Sequence, residues 1–158
     1  PARSRASQVR LILEELISTQ PGRDTDLGEI FDDIAERIPR RGLVIIISDM
    51  FGDLESIMKA LYHFRYRNHE VLLFHVMAEE ELTFPFESFT DFKDLEPPGV
   101  RYQLDPKSIK AEYLDQVRSF IKKLQTECGQ MDIEYIPMNT KEPYDVALSN
   151  YLASRKGR

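Results

Sequence analysis

Two short apolar runs, 43–47 and 71–76, stand on either side of a stretch with helical spacing, and this arrangement restricts the fold more than any other feature. Leu43-Val44-Ile45-Ile46-Ile47 has no polar interruption and is rich in β-branched residues, which suits a strand buried on both faces of a parallel sheet. Val71 to Val76 reads as a second buried strand. Between them Leu54, Ile57, Met58 and Leu61 recur on one helical side, and Asn68 is a left-handed stop for that helix. Strand, helix and strand in this order form a βαβ unit, whose crossover is right-handed in nearly all proteins.

The flanking segments fit the same class. Val9, Ile12, Leu13, Leu16 and Ile17 share one helical face, closed by Pro21 and Gly22. Leu27, Ile30, Phe31, Ile34 and Ile38 mark a second helix, with Asp26 and Glu29 as its capping pair and Pro39 as its end. Asp105 and Pro106 open the longest helix, and Ile109, Tyr113, Val117, Phe120, Ile121, Leu124 and Cys128 step along one face of it until Gly129. Residues 133–138 make a third core strand, and Pro143 opens a last helix with Val146, Ala147, Tyr151 and Leu152 inward. The tail from Arg155 is expected to fray. Residues 79–104 break the rhythm and read as a small β-hairpin insertion, with Phe84, Phe86, Phe89 and Phe92 as its packing face. The fold class expected is a three-layer, Rossmann-like α/β domain with a mainly parallel sheet, spanning 1–158 as one domain. Three core strands are few for five helices, which predicts an open sheet edge or further strands upstream of Pro1. The absence of a starting Met fits the second choice, a chain truncated at its N-terminus.

Composition excludes several function classes. With 27 acidic against 21 basic residues the formal charge is -6, which argues against nucleic acid as a partner, since phosphate neutralisation needs clustered Lys and Arg. No apolar run is long enough to span a membrane, and no signal-peptide pattern opens the sequence. The single Cys128 forbids an internal disulfide and fits a reducing, cytoplasmic setting; its place on an apolar helix face makes it a buried structural thiol.

Ligands of open α/β sheets bind beyond the carboxyl ends of the strands. There stand Ser48-Asp49-Met50-Phe51-Gly52-Asp53, then Glu79-Glu80-Glu81, then Asn139-Thr140-Lys141-Glu142. Asp49 is the most informative position. It can cap the following helix, a task for which Asp53 competes, or hold a hard cation. The acid run 79–81 reads as a solvated loop rather than a calcium site. His75 reads as a core or sheet-end residue, His63 as a helix-surface residue and His69 as a turn residue, with no paired metal spacing among them.

The stretch Arg41 to Asp49 resembles the strand of von Willebrand factor A-like domains that ends in Ser-Asp, and Asp24-Thr25-Asp26-Leu27-Gly28 is similar to a second stretch of those domains. Further motifs narrow the resemblance to a bacterial domain-of-unknown-function family encoded beside MoxR-type AAA ATPases. They are Asn68-His69-Glu70-Val71, Glu79 to Pro85, Phe92 to Glu96, Tyr113, Thr140 with Pro143, and Tyr151 to Arg155, so that the likeness covers about residues 5–155. The resemblance implies a metal-ion-dependent adhesion site with Thr25 and Asp49 as ligands. The Asp-x-Ser-x-Ser turn of that site has no counterpart here, so the site is incomplete and the expectation is weak or no Mg²⁺ binding, with no cofactor in this chain. It also implies a non-enzymatic interaction domain, partnering a MoxR-type AAA ATPase or another protein in chaperone-like assembly or maturation of complexes. Two alternatives remain open: a Mg²⁺-dependent hydrolase or phosphatase using Asp49, which lacks the second acid of an Asp-x-Asp pair, and a homodimerisation or scaffold domain pairing through an open sheet edge.

Overall fold

The computed structural model describes residues 6–20, 27–93 and 101–156. In chain order the elements are α1 (Ala6–Ser18), α2 (Leu27–Arg37), β1 (Leu43–Ser48), α3 (Leu54–Tyr66), β2 (Glu70–Met77), α4 (Glu79–Thr83), β3 (Thr90–Lys93), β4 (Arg101–Leu104), α5 (Pro106–Gln130), β5 (Glu134–Asn139) and α6 (Tyr144–Lys156). The three expected core strands form one parallel sheet in the order β1-β2-β5. Strands β3 and β4 pair antiparallel as a separate two-stranded sheet. Asp26 of the expected capping pair and the expected Pro21-Gly22 stop lie outside the described residues. No described helix is long and apolar enough to cross a membrane.

Alternation along the strands sorts side chains to two faces. On one face Ile46 of β1 and Val71 and Leu73 of β2 meet α2, α3 and α5 through Phe31, Ala35, Ile57, Ala60, Leu61, Phe64, Leu124 and Cys128. Ala35 and Ala60 are wholly buried, and the small side chains allow close helix approach. Phe31 and Phe64 meet edge to face with centroids 6.3 Å apart. Burial pushes the Cys128 thiol up to about 11, so it stays protonated and inert.

The other face is covered unevenly. Central β2 is buried on both sides, and Phe74 packs against Tyr151 of α6. On β1, however, Ile45 is 53% and Ile47 70% exposed. The expectation that β1 is buried on both faces is therefore corrected: it is an edge strand, and no described element covers that side. Helix α1 likewise leaves Val9, Ile12, Leu13, Leu16 and Ile17 each more than half exposed. In α6 Ala147 and Tyr151 turn partly inward, while Val146 and Leu152 are exposed, against expectation.

Helix endings explain how the strands are launched. Asn68 takes a left-handed φ of 62°, as expected, with His69 N–H donating to Phe64 O and Asn68 N–H to Arg65 O. Helix α5 runs past Gly129 to Gln130 and stops by the same device, with Asp132 rather than Gly129 left-handed and Ile133 N–H donating to Cys128 O. Both are Schellman endings. The Arg65 guanidinium joins them, donating to Met131 O at 2.8 Å, His69 O at 2.7 Å and Asp132 Oδ2 at 2.7 Å. His69, expected as a turn residue, directly follows the turn and is buried, with Nδ1 accepting from Gly42 N–H. The residue after a left-handed stop is carried back over the helix, which is why His69 turns inward. The tail is not frayed at Arg155, which pairs with Glu70 and Glu134 at the amino ends of β2 and β5.

Candidate functional site

The segment after β1 is a tight, self-bonded turn. Ser48 Oγ accepts from Met50 N–H at 3.0 Å, and Asp49 Oδ1 accepts from Phe51 N–H at 3.0 Å. Met50 sits at φ 56°, a left-handed conformation costing about 1 kcal/mol for a residue with a side chain. Its side chain is wholly buried, so core packing offsets that cost. The reversal at Met50 sends Phe51 outward, where it is 80% exposed. Asp53, not Asp49, caps α3, with Oδ2 accepting from Ser56 N–H at 2.9 Å. Asp49 is thereby released from the capping role that its position allowed.

His75 clamps this turn to the sheet. Its Nε2–H donates to Asp49 O at 2.9 Å, and Tyr135 O–H donates to Nδ1 at 2.6 Å. A carbonyl can only accept, which sets the tautomer. Burial lowers the His75 pKa, and the hydrogen bond to Asp49 together with the Asp49 and Glu81 carboxylates opposes it only in part. Burial also pushes the Tyr135 phenol up to about 12, keeping it a donor. The expected role of His75, a sheet-end core residue, is the one it has.

Beyond this turn lies a groove of about 460 Å³, between the β1 turn and the first half of α5. Phe51, Met77, Tyr113, Val117 and Phe120 supply apolar walls, and Asp49 and Glu81 are its two carboxylates. The acid run is not a solvated loop: Glu79 to Glu81 form the first turn of α4. Glu81 accepts from Ala78 N–H at 2.7 Å, and Glu79 accepts from Asn139 Nδ2 at 2.5 Å. Phe84, Phe86, Phe92 and Tyr113 pack ring against ring, as the packing-face reading expected, while Phe89 is exposed. A second depression of about 500 Å³ lies past β5, lined by Asn139, Thr140, Lys141 and Tyr144, and does not include Asp49. His63 bonds Asp32 at 3.0 Å across α2 and α3, away from the groove.

Sequence reasoning found Asp49 but not the groove. Tyr113, Val117 and Phe120 were legible only as one apolar helix face, since spacing does not tell which half of a long helix overhangs the end of the sheet. The signal that was available was Phe51, an aromatic residue directly before Gly52 in a turn.

Of the two residues expected to hold a divalent cation, Asp49 lines the groove. Thr25 lies outside the described residues. Among the described residues no group of three or more His, Cys, Asp or Glu side chains is placed to hold a metal ion. Asp49 Oδ1 and Ser48 Oγ already accept backbone N–H groups. Mg²⁺ prefers six oxygen ligands in a near-octahedral shell, and Asp49 is the one expected ligand among the described residues.

The model of the family described as Protein of unknown function DUF58 matches residues 1–120. The chain belongs to that family. The DUF58 match takes in β1, β2, the β3–β4 pair and much of α5, hence the Asp49 turn and the whole lining of the groove. Neither a curated protein nor a solved structure matches the chain.

Proposed function

We propose that this chain is a non-enzymatic protein-interaction domain of the von Willebrand factor A-like kind, working in the cytoplasm with a MoxR-type AAA ATPase in chaperone-like assembly or maturation of protein complexes. The observation that carries the reading is the carboxyl end of the sheet, where Asp49 stands at the mouth of an apolar groove rimmed by an exposed Phe51. An exposed aromatic residue on an apolar groove, with charge at its rim, suits a docking surface. The resemblance to von Willebrand factor A-like domains implies an adhesion site using Thr25 and Asp49; with that site incomplete here, docking in this chain rests on Asp49 and the groove. The test is association of the purified chain with a purified MoxR-type ATPase. Asp49→Ala is expected to weaken it about tenfold, which corresponds to about 1.4 kcal/mol. No association at about 0.1 mM, a level at which even weak complexes form, overturns the reading. So does phosphatase turnover that disappears in the same variant.

A second reading, self-association through β1, is favoured by the exposed Leu43, Ile45 and Ile47 on an edge strand. Sedimentation should then show a concentration-dependent dimer, and Ile45→Lys with Ile47→Lys should return it to monomer. Both side chains are exposed, so the pair should cost folding less than about 1 kcal/mol. A wild-type chain that is monomeric at every concentration rules this reading out.

A further inference from the structure

We propose that the groove beside Asp49 receives a basic side chain, arginine best of all, from an extended segment of the partner protein. The inference rests on the interaction reading above and names the chemistry of the docked segment. The groove combines two features that a guanidinium needs together. Its walls include the aromatic rings of Phe51, Tyr113 and Phe120, and a planar guanidinium stacks on such faces while its methylene stem lies along apolar surface. Its carboxylates are Asp49 and Glu81, and no Lys or Arg stands among the lining residues.

Among the described residues no basic side chain compensates these two carboxylates. Asp49 Oδ1 accepts from the backbone N–H of Phe51, and Glu81 accepts from the backbone N–H of Ala78. Among the described residues neither forms an ion pair with a Lys or Arg, whereas Glu79, two residues before Glu81, pairs with Lys141. Near apolar walls two carboxylates attract a cation more strongly than they would in open water. The left-handed Met50 directs Phe51 to the rim, where it is 80% exposed and open to a partner. A volume of about 460 Å³ is within the range of small-ligand sites and accommodates one long side chain with its flanking backbone.

The test uses the whole chain and a blocked pentapeptide with one central arginine between glycines, followed by amide chemical shifts. The expected result is saturable shifts at Phe51, Gln116 and Val117, with a dissociation constant of the order of 1 mM, as suits a single anchor. The same peptide with neutral citrulline should bind at least about fivefold more weakly, and raising the salt should weaken the arginine peptide alone. Asp49→Asn with Glu81→Gln keeps both backbone hydrogen-bond acceptors and removes both charges, so it should abolish the preference without unfolding the turn or α4. Phe51→Ala, at an exposed position, should weaken binding in the folded protein. Equal shifts from the two peptides, or shifts away from the groove, overturn the proposal. Association with the ATPase that saturating arginine peptide leaves unchanged also overturns it, while the interaction reading survives. Peptide binding as expected, with no ATPase association, supports the groove assignment and removes the ATPase as its partner.

Discussion

Phe64→Ala is expected to lower the unfolding free energy by about 3–5 kcal/mol, the range for a large aromatic truncated in a core that cannot collapse around the gap. Phe64 is 1% exposed and lies where α2, α3 and the start of β2 meet. Its ring contacts Phe31 on one side and His69 on the other, with centroids at 6.3 and 6.2 Å. Ala35 and Ala60 are already small and fully buried, so nothing nearby has spare volume to move in. Domains of this kind are stable by only about 5–15 kcal/mol, so the variant should unfold at markedly lower urea. Phe64→Leu, which keeps most of the volume, should lose clearly less. A loss below about 1 kcal/mol for the alanine variant would show that α2 does not pack on α3 as described.

His75→Leu carries the second large effect. The imidazole is buried and holds two partners, Asp49 O and Tyr135 O–H. An apolar replacement of similar size leaves both without their bond, at about 1–3 kcal/mol for each group that stays dry. The Asp49 turn should loosen with it, because that bond ties β1's exit to β2. The pH dependence separates this role from simple packing. Burial favours the neutral ring, so the folded state holds its proton less tightly than the unfolded chain, whose value is about 6.5. The stabilisation is therefore present above pH 6.5 and drains away as pH falls below it, toward the lower folded value. The steepest slope one such group gives is about 1.4 kcal/mol per pH unit. Urea midpoints between pH 7.5 and 5 should fall in the wild type and fall less in His75→Leu. Parallel curves would mean that His75 is not the group that titrates.

The sheet was legible in the sequence because its signals are local. An uninterrupted β-branched run, a helical repeat and a second run define a βαβ unit with no knowledge of the rest of the chain. The helix start at Asp105 and the stop at Asn68 were legible for the same reason, while Asp53 was one of two candidates for the cap of α3. Burial was not local. The pattern of β1 says that it tolerates burial on both faces, but whether anything covers Ile45 and Ile47 depends on neighbours distant in sequence. The end of α5 was misplaced because Gly129 is an attractive stop, yet the ending is decided by the residue that takes the left-handed turn, and this is Asp132. Of the candidate site, Asp49 could be found from strand position alone. The groove could not, since Phe51, Glu81 and Tyr113 come from three separate segments that only the crossover brings together.

Arg65 joins contacts of very different sequence separation. Its bonds to Met131 and Asp132 close sequence separations of 66 and 67 residues, whereas its bond to His69 spans only four. Closing a long loop costs entropy before any contact repays it. The α3 end can therefore organise early around Arg65 and His69, while the α5 end must wait until β5 is being laid beside β2. One guanidinium thus ties a local contact at the end of α3 to two distant ones at the end of α5.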